Sequence, residues 1–356
     1  MPLIMEPGRV PPQWAERTSA RGARHECAAG GDGDGVRVAL INNMPDPALE
    51  DTELQFFELL DTASGDVPIS VKLYSINEVP RTDRGERHLN SFYSSVKDLW
   101  NDHVDALIMT GTEPRSANLQ DEPYWNMLGQ VLDWAESNTV STVLSCLAAH
   151  AGVLHSDGIG RHRLPDKQFG VFDFEKTASQ PLTANCNRIR FPHSRWNEVR
   201  AGELAASGYQ VLTQSVDGGV DSFLKKKKRS LFVHFQGHPE YGAQTLFKEY
   251  RRDIKRFLRN ERETYPTMPS GYFDEAAARL LNEFHFQVIS DRSEEAMEKF
   301  PKLASDSLQK SWHASAINIY RNWLQYVMSR KADFTIFPAA VAAVYHQSPR
   351  KRSAVR

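Results

Sequence analysis

The chain has 356 residues, with 43 Lys and Arg against 45 Asp and Glu. A formal net charge of −2 excludes a nucleic-acid binder held by bulk electrostatics. Hydrophobic and charged fractions of 40% and 25% are ordinary for a globular protein with a sizeable core.

Residues 1–35 offer little to bury and end in Gly30-Gly31-Asp32-Gly33-Asp34-Gly35, which predicts a flexible N-terminal segment. Met1–Arg24 lacks the apolar core of a signal peptide, and no run approaches about 18 apolar residues. The expectation is a cytoplasmic protein with no membrane partner. Val36–Ile41 is a short apolar run suited to a buried strand, and Thr52–Leu60 has apolar residues at helical spacing. Ile69–Tyr74 alternates like a strand. A helical stretch near Phe92–Trp100 leads into Ala106–Gly111, a buried-strand run ended by glycine. Tyr124–Glu136 reads as a helix, Ser141–Ser145 as a strand, and Ser230–Phe235 as a further strand. Strands alternating with helices predict an α/β domain over 36–265, a mostly parallel sheet with helices on both faces. Residues 266–328 show no strand signal and predict a helical C-terminal extension, with an amphipathic helix over Trp312–Met328. A polar, basic tail occupies 329–356.

In such sheets chemistry collects at the carboxyl ends of the strands. Three cysteines, Cys27, Cys146 and Cys186, cannot close a disulfide framework and point to a reducing compartment. Cys146 alone sits at a strand end, before a run of small residues suited to opening a helix. There it would lie over free helix N–H groups, which favour a thiolate and stabilise an oxyanion. A buried, inert cysteine is the competing reading. Gly237-His238-Pro239-Glu240 places a histidine just past another strand end, with a carboxylate two residues on: a base and the group that orients it. His150 and His234 compete for the base role, but His234 lies inside the strand run.

Several stretches, in order over 36–328, resemble one family. They are Asn43-Met44-Pro45 with Thr52-Glu53, Tyr124-Trp125, Ser141-Thr142 through Cys146, and Lys167 with Phe169-Gly170-Val171-Phe172. Pro192-His193-Ser194-Arg195, Gly237-His238-Pro239-Glu240-Tyr241 and Glu249-Tyr250-Arg251-Arg252-Asp253 follow, then Tyr272-Phe273, Trp312 and Asn322-Trp323-Leu324. This order is similar to that of the homoserine O-acyltransferases in the class I glutamine-amidotransferase-like superfamily, with an apparent insertion over 274–310. The resemblance implies a flavodoxin-like, amidotransferase-like fold and an acyl-CoA:amino-acid O-acyltransferase of methionine synthesis. Acyl-CoA is then a co-substrate, no bound cofactor is expected, and a homodimer is suggested. It assigns Cys146 as the nucleophile that forms an acyl thioester, His238 as general base and Glu240 as its holder. It also assigns Arg252 to the acceptor carboxylate, Lys167 and Ser194 to the substrate site, and the Leu147 N–H to the oxyanion.

Departures from the family pattern sharpen the expectations. Cys146-Leu147-Ala148-Ala149-His150 stands where the family carries Cys-Trp-Gly-Ala-Gln, and Pro47 stands where its Asn-Met-Pro loop carries a lysine. The fifth residue counted from the strand-end Gly111 is glutamate in acetyl enzymes and glycine in many succinyl enzymes; here it is Arg115. Arginine attracts a free carboxylate, which favours a succinyl donor. Acetyl stays open through a shift in register that brings Glu113 into the pocket. Homoserine is the default acceptor, with serine open, because one methylene is worth only ~1–3 kcal/mol of discrimination. A glutamine-amidotransferase-like hydrolase and a non-catalytic binding protein are the other classes. Lys225-Lys226-Lys227-Lys228-Arg229 reads first as a solvated hairpin or loop tip, second as a lure for coenzyme A phosphates. The histidines lack metal-ligand spacing, so no metal is expected, and no nucleic-acid partner is expected either.

Overall fold

The computed structural model describes residues 3–20, 35–290, 292–304, 307–308 and 310–334. Cys27 and the basic tail beyond 334 lie outside the described residues. The main sheet contains β1 (Ile4–Met5), β2 (Val36–Ile41), β3 (Ile69–Ser75), β4 (Ser94–Ser95), β5 (Ala106–Met109) and β6 (Ser141–Ser145). Its remaining strands come later in the chain: β9 (Gln210–Val211), β12 (Ser222–Lys227) and β13 (Ser230–Phe235). The order is β1-β3-β2-β5-β6-β13-β12-β9, with β4 beside β3. All pairs from β1 to β13 are parallel, and at the other edge β12 alone runs against them, pairing antiparallel with both β13 and β9. The α/β class expected from the sequence is therefore the class found.

Alternation within the strands explains why both faces need cover. Val38 and Leu40 point into one apolar cluster, with Phe56, Phe57 and Leu60 of α2 (Asp46–Ser64) and Tyr320, Trp323 and Leu324 of α9 (His313–Phe334). Ala39 and Ile41 point into the other, with Leu128, Val131 and Leu132 of α4 (Trp125–Asn138) and Leu147 and Ala148 of α5 (Leu147–Asp157). A strand buried on both sides has no polar face to display, which is why Val36–Ile41 and Ala106–Met109 read as apolar runs, while β3, half-buried at Ser70 and Lys72, alternates. The C-terminal helix expected over 312–328 extends to Phe334 and covers the sheet directly, donating from Trp323 Nε1 to Ser141 Oγ at 2.9 Å.

A second sheet, of β7 (His162–Lys176), β8 (Ile189–Glu198), β10 (Thr213–Ser215) and β11 (Gly219–Val220), has the order β11-β10-β7-β8 and is antiparallel. No sequence signal announced it. β7 carries Pro165 and Gly170 and β8 carries Pro192, residues that speak against a central strand. Two further helices, α7 (Thr245–Leu258) and α8 (Glu275–Val288), pack together around Tyr250, Ile254, Leu281 and Phe284. The helix expected near Phe92–Trp100 falls instead on a junction. There α3 (Asp83–Phe92) ends, β4 pairs with β3, and Val96–Trp100 forms a separate 3-10 stretch.

Residues 3–20 differ from the flexible segment expected over 1–35. Ile4 and Met5 pair with Ser70 and Val71, and α1 (Pro12–Ala20) sets Trp14, 1% exposed, against Phe57 with ring centroids 5.5 Å apart. One tryptophan and one short edge strand suffice, because α2 already presents an apolar groove. No helix among the described residues is long and apolar enough to cross a membrane. Replacing Trp14 with Ala is expected to cost ~3–5 kcal/mol of stability, as for other buried aromatics. Urea denaturation measures this, and an unchanged midpoint would show that α1 is not docked.

Candidate active site

Cys146 follows β6 and precedes α5 directly, so the chain has no loop in which to turn. It turns within one residue, at φ 52 and ψ −113. A non-glycine residue rarely adopts such a conformation, which costs ~1–3 kcal/mol and concentrates at functional sites. The Cys146 N–H donates to the Phe235 carbonyl at 2.8 Å, tying the elbow to β13. Its own carbonyl accepts from Ala149 and His150, so the Leu147 N–H stands in the first turn of α5, where helix donors lack partners within the helix. The loop after β5 presses on the same turn. A Cβ on Gly111 would lie 2.6 Å from Leu147 Cβ and 2.9 Å from Leu147 N, so only glycine fits there.

His238 follows β13, the strand paired with β6, and lies near enough to Cys146 for the two to interact electrostatically. Its Nδ1 contacts Glu240 Oε1 at 2.9 Å, and the same oxygen accepts from Ser145 Oγ at 3.1 Å. His238 and Glu240 are both buried. Burial opposes a charged imidazole, but the Cys146 and Glu240 charges and their hydrogen bonds prevail, so the His238 pKa stands well above 6.5. Tyr241 stacks on the His238 ring, with centroids 4.1 Å apart and planes 16° from parallel.

The Tyr241 hydroxyl leads to the remaining expected residues. It donates to Glu249 Oε1 at 2.6 Å, and Ser194 Oγ donates to Glu249 Oε2. Lys167 Nζ lies 3.0 Å from Asp253 Oδ2 and 3.7 Å from Glu249 Oε2. Arg252 donates from Nε and Nη2 to Asp253 Oδ1, both at 3.1 Å. Burial would raise the Asp253 pKa, yet the Lys167 and Arg252 charges hold it below the usual carboxylate range. Lys167, Ser194 and Arg252 therefore meet around two acids that the sequence reading did not single out. Glu249 and Asp253 lie four residues apart on α7, one face of a helix, and that spacing was the available signal.

Arg115 is exposed, on a loop whose backbone is held by buried Glu122: Oε1 accepts from the Arg115 and Ser116 N–H groups at 2.6 and 2.5 Å. Glu113, 62% exposed, lies 3.7 Å from Arg256 on α7. Two unforeseen cations belong to the site's surroundings. Arg161 donates to the Ala117 carbonyl of the same loop at 3.2 Å, and both it and the buried Arg195 feel the Cys146 charge. The lysine run lies at the amino end of β13, the opposite end from His238. Lys225 and Lys227 pair with Asp157 at 2.6 and 3.2 Å, and Lys228 with Glu136 at 3.0 Å.

The cysteine elbow and the His-Glu pair thus stand side by side at the carboxyl edge of the parallel sheet of an α/β fold, the edge where such sheets collect their chemistry. Residues 14–334 match the profile "HTS: Homoserine O-succinyltransferase", and the chain belongs to that acyltransferase family. It is 43% identical over 291 residues to a protein of Rhodopseudomonas palustris named homoserine O-succinyltransferase, spanning 81% of this chain and 87% of that one. A Methylorubrum extorquens protein of the same name is 42% identical over 300 residues, spanning 83% and 88%. Among solved structures, a glutamine amidotransferase of Methylobacillus flagellatus is similar with 13% identity and a TM-score of 0.46, over 82% of this chain and 95% of that one.

The competing histidines are placed elsewhere. His234 stacks on Phe223 at 4.6 Å, and neither ring nitrogen makes a well-formed hydrogen bond with a described residue. His150 contacts Gln236 Oε1 at 2.9 Å. Burial pushes both pKa values down to about 3. A histidine neutral when folded and charged when unfolded supports stability above its unfolded pKa and loses that support as pH falls, by ~1.4 kcal/mol per unit. His234→Phe keeps the ring stack and removes the titration. Urea unfolding near pH 6.5 and pH 5 is expected to show the acid loss of stability reduced by ~2 kcal/mol relative to wild type.

Proposed function

We propose that the protein transfers an acyl group from acyl-CoA to the side-chain hydroxyl of homoserine, through a thioester on Cys146. The observation that supports this most directly is the strained elbow cysteine on the strand next to the one that carries a buried His238 in contact with Glu240, in a member of this family. His238 takes the thiol proton, and the Cys146 sulfur attacks the thioester carbonyl of acyl-CoA. The Leu147 N–H faces the oxyanion as it develops. Collapse expels the coenzyme thiolate, which takes the proton from His238 and leaves as the thiol. The acceptor hydroxyl then gives its proton to His238 and attacks the acyl-enzyme, and the Cys146 thiolate departs and is reprotonated. Splitting the transfer in this way gives a ping-pong order.

Arg252 suits the acceptor carboxylate, since a planar guanidinium forks onto that group. Glu249, one ring stack from His238, complements the acceptor ammonium. For the donor, succinyl-CoA is the first choice: Arg115 and Arg161 line one loop beside the elbow, and a second carboxylate gains from both.

Incubation with succinyl-CoA is expected to add one succinyl mass to the intact protein, discharged by homoserine and absent in Cys146→Ala. A protein that acquires no acyl mass from succinyl- or acetyl-CoA would overturn the reading. An adduct that water clears as fast as homoserine does would favour a hydrolase. For the donor, Arg115→Ala is expected to lower kcat/KM for succinyl-CoA about tenfold while sparing acetyl-CoA, consistent with loss of one charge-assisted contact. Equal effects on the two donors would remove Arg115 from donor selection.

A further inference from the structure

Beneath the turn that carries His238 lies a second buried polar set, which the transfer chemistry leaves unused. Arg195, His193 and Asp221 are 4%, 0% and 0% exposed. Arg195 Nε donates to His193 Nδ1 at 3.1 Å, while Nη1 and Nη2 donate to the Asn197 and Gly218 carbonyls, each at 2.8 Å. A guanidinium only donates, so Nδ1 accepts and the ring proton sits on Nε2. That nitrogen faces Asp221 Oδ1 at 3.2 Å.

Asp221 passes the contact on to the catalytic turn. Its Oδ1 accepts the Gly237 N–H at 3.1 Å, and Thr213 Oγ1 donates to Oδ2 at 3.3 Å. The next N–H, that of His238, donates to the Pro192 carbonyl at 2.8 Å. Residues 192–195 and Asp221 thus hold both backbone N–H groups that set the direction of the His238 side chain. The fit leaves no slack: a Cβ on Gly237 would lie 2.6 Å from His193 Nε2 and 2.8 Å from Asp221 Oδ1. Burial pushes the His193 pKa down to about 4, so the chain keeps one polarity through neutral pH. Its order runs from cation through neutral ring to anion, with His193 Nε2 set 3.2 Å from Asp221 Oδ1 outside hydrogen-bond geometry, so the two buried charges compensate across the ring.

We propose that Arg195, His193 and Asp221 form a positioning unit for the general base, holding the Gly237-His238 turn so that His238 reaches Cys146. The part of this inference that concerns turnover rests on the acyl-transfer reading above. None of the three side chains needs to touch substrate. A misplacement of about 1 Å at a reacting group costs on the order of a hundredfold in rate, so a rigid support has a direct kinetic consequence.

Asp221→Ala removes the acceptor for Gly237, whereas Asp221→Asn keeps an oxygen at the same place. Turnover is measured per active site, the sites being counted by the burst of coenzyme A released on mixing with acyl-CoA. Asp221→Ala is expected to lower it at least tenfold, with KM for donor and acceptor within twofold. Asp221→Asn is expected to restore it to within about threefold of wild type. A merely structural role would lower the number of active sites and leave turnover per site unchanged. If Asp221→Ala does not fold, Gly237→Ala crowds the same pair and is read in the same way. A second readout needs no acyl donor: alkylation of Cys146 by iodoacetamide at pH 7, followed on the labelled peptide, is expected to slow at least threefold in Asp221→Ala. Wild-type turnover per site and wild-type alkylation in that variant would overturn the proposal, as would an Asp221→Asn variant as slow as Asp221→Ala. A wild-type protein that is alkylated but never acylated would defeat the acyl-transfer reading instead, and the alkylation comparison alone would then decide this one.

Discussion

The parallel pairing of β6 with β13 is the constraint on which the site depends. Ser145 lies opposite Phe235, and the Phe235 carbonyl takes the N–H of Cys146. Adjacent strands run about 4.8 Å apart, so whatever follows each strand emerges at one edge and within reach of the other. Cys146 follows one strand at once, and His238 follows the other after two residues. Neither needs a long loop to find its partner. The cost is the conformation of Cys146, and the surroundings over-determine it: every residue of β6 is buried, and so is the first half of α5. The strained turn is therefore held from both sides, and from the Gly111 loop as well.

Burial alone does not decide the charge of a histidine here. His150, His193, His234 and His238 are all at most 5% exposed, yet three are pushed well below the ordinary pKa and one is raised. The difference is in the partners. His234 meets the flat face of Phe223, and His150 meets a neutral amide. His193 has an anion on one side and a guanidinium on the other, which oppose each other. Only His238 lies between two groups that both favour its protonated form, Cys146 and Glu240. A buried imidazole ready to hold a proton is what a base needs if it must take one from a thiol and later from a hydroxyl.

What was legible in the sequence follows from which signals are local. Five of the parallel strands, β2, β3, β5, β6 and β13, were readable because burial leaves apolar runs or a strict alternation, and Cys146 and His238 stood out because they follow strand ends. The second sheet was not, since Pro165, Gly170 and Pro192 mask strands whose exposed positions alternate irregularly. It nevertheless supplies Ser194 and, at the irregular stretch of β7 between Arg163 and Gln168, Lys167. The acids that gather these groups, Glu249 and Asp253, read as ordinary helix-surface charges. Only the packing of α7 against the second sheet reveals them as a hub. Trp14 was missed for a related reason: a single apolar residue in a polar stretch carries no period, and its partner Phe57 is 43 positions away by sequence number.

The C-terminal helix shows how far an element's role can exceed its sequence signature. Its periodicity announces an amphipathic helix, but not which surface it covers. Tyr320 stacks on Phe235, the residue that receives the Cys146 N–H, with centroids 6.1 Å apart. The Tyr320 hydroxyl is buried and lies in the field of Glu240, whose Oε2 is buried without a hydrogen-bond partner among the described residues. This leaves the hydrogen bonding of Glu240 to Oε1, the oxygen shared by His238 and Ser145. α9 thus packs beneath Phe235 on the face of the sheet opposite α5, so the strand end that receives the Cys146 N–H is held from the side away from the elbow helix.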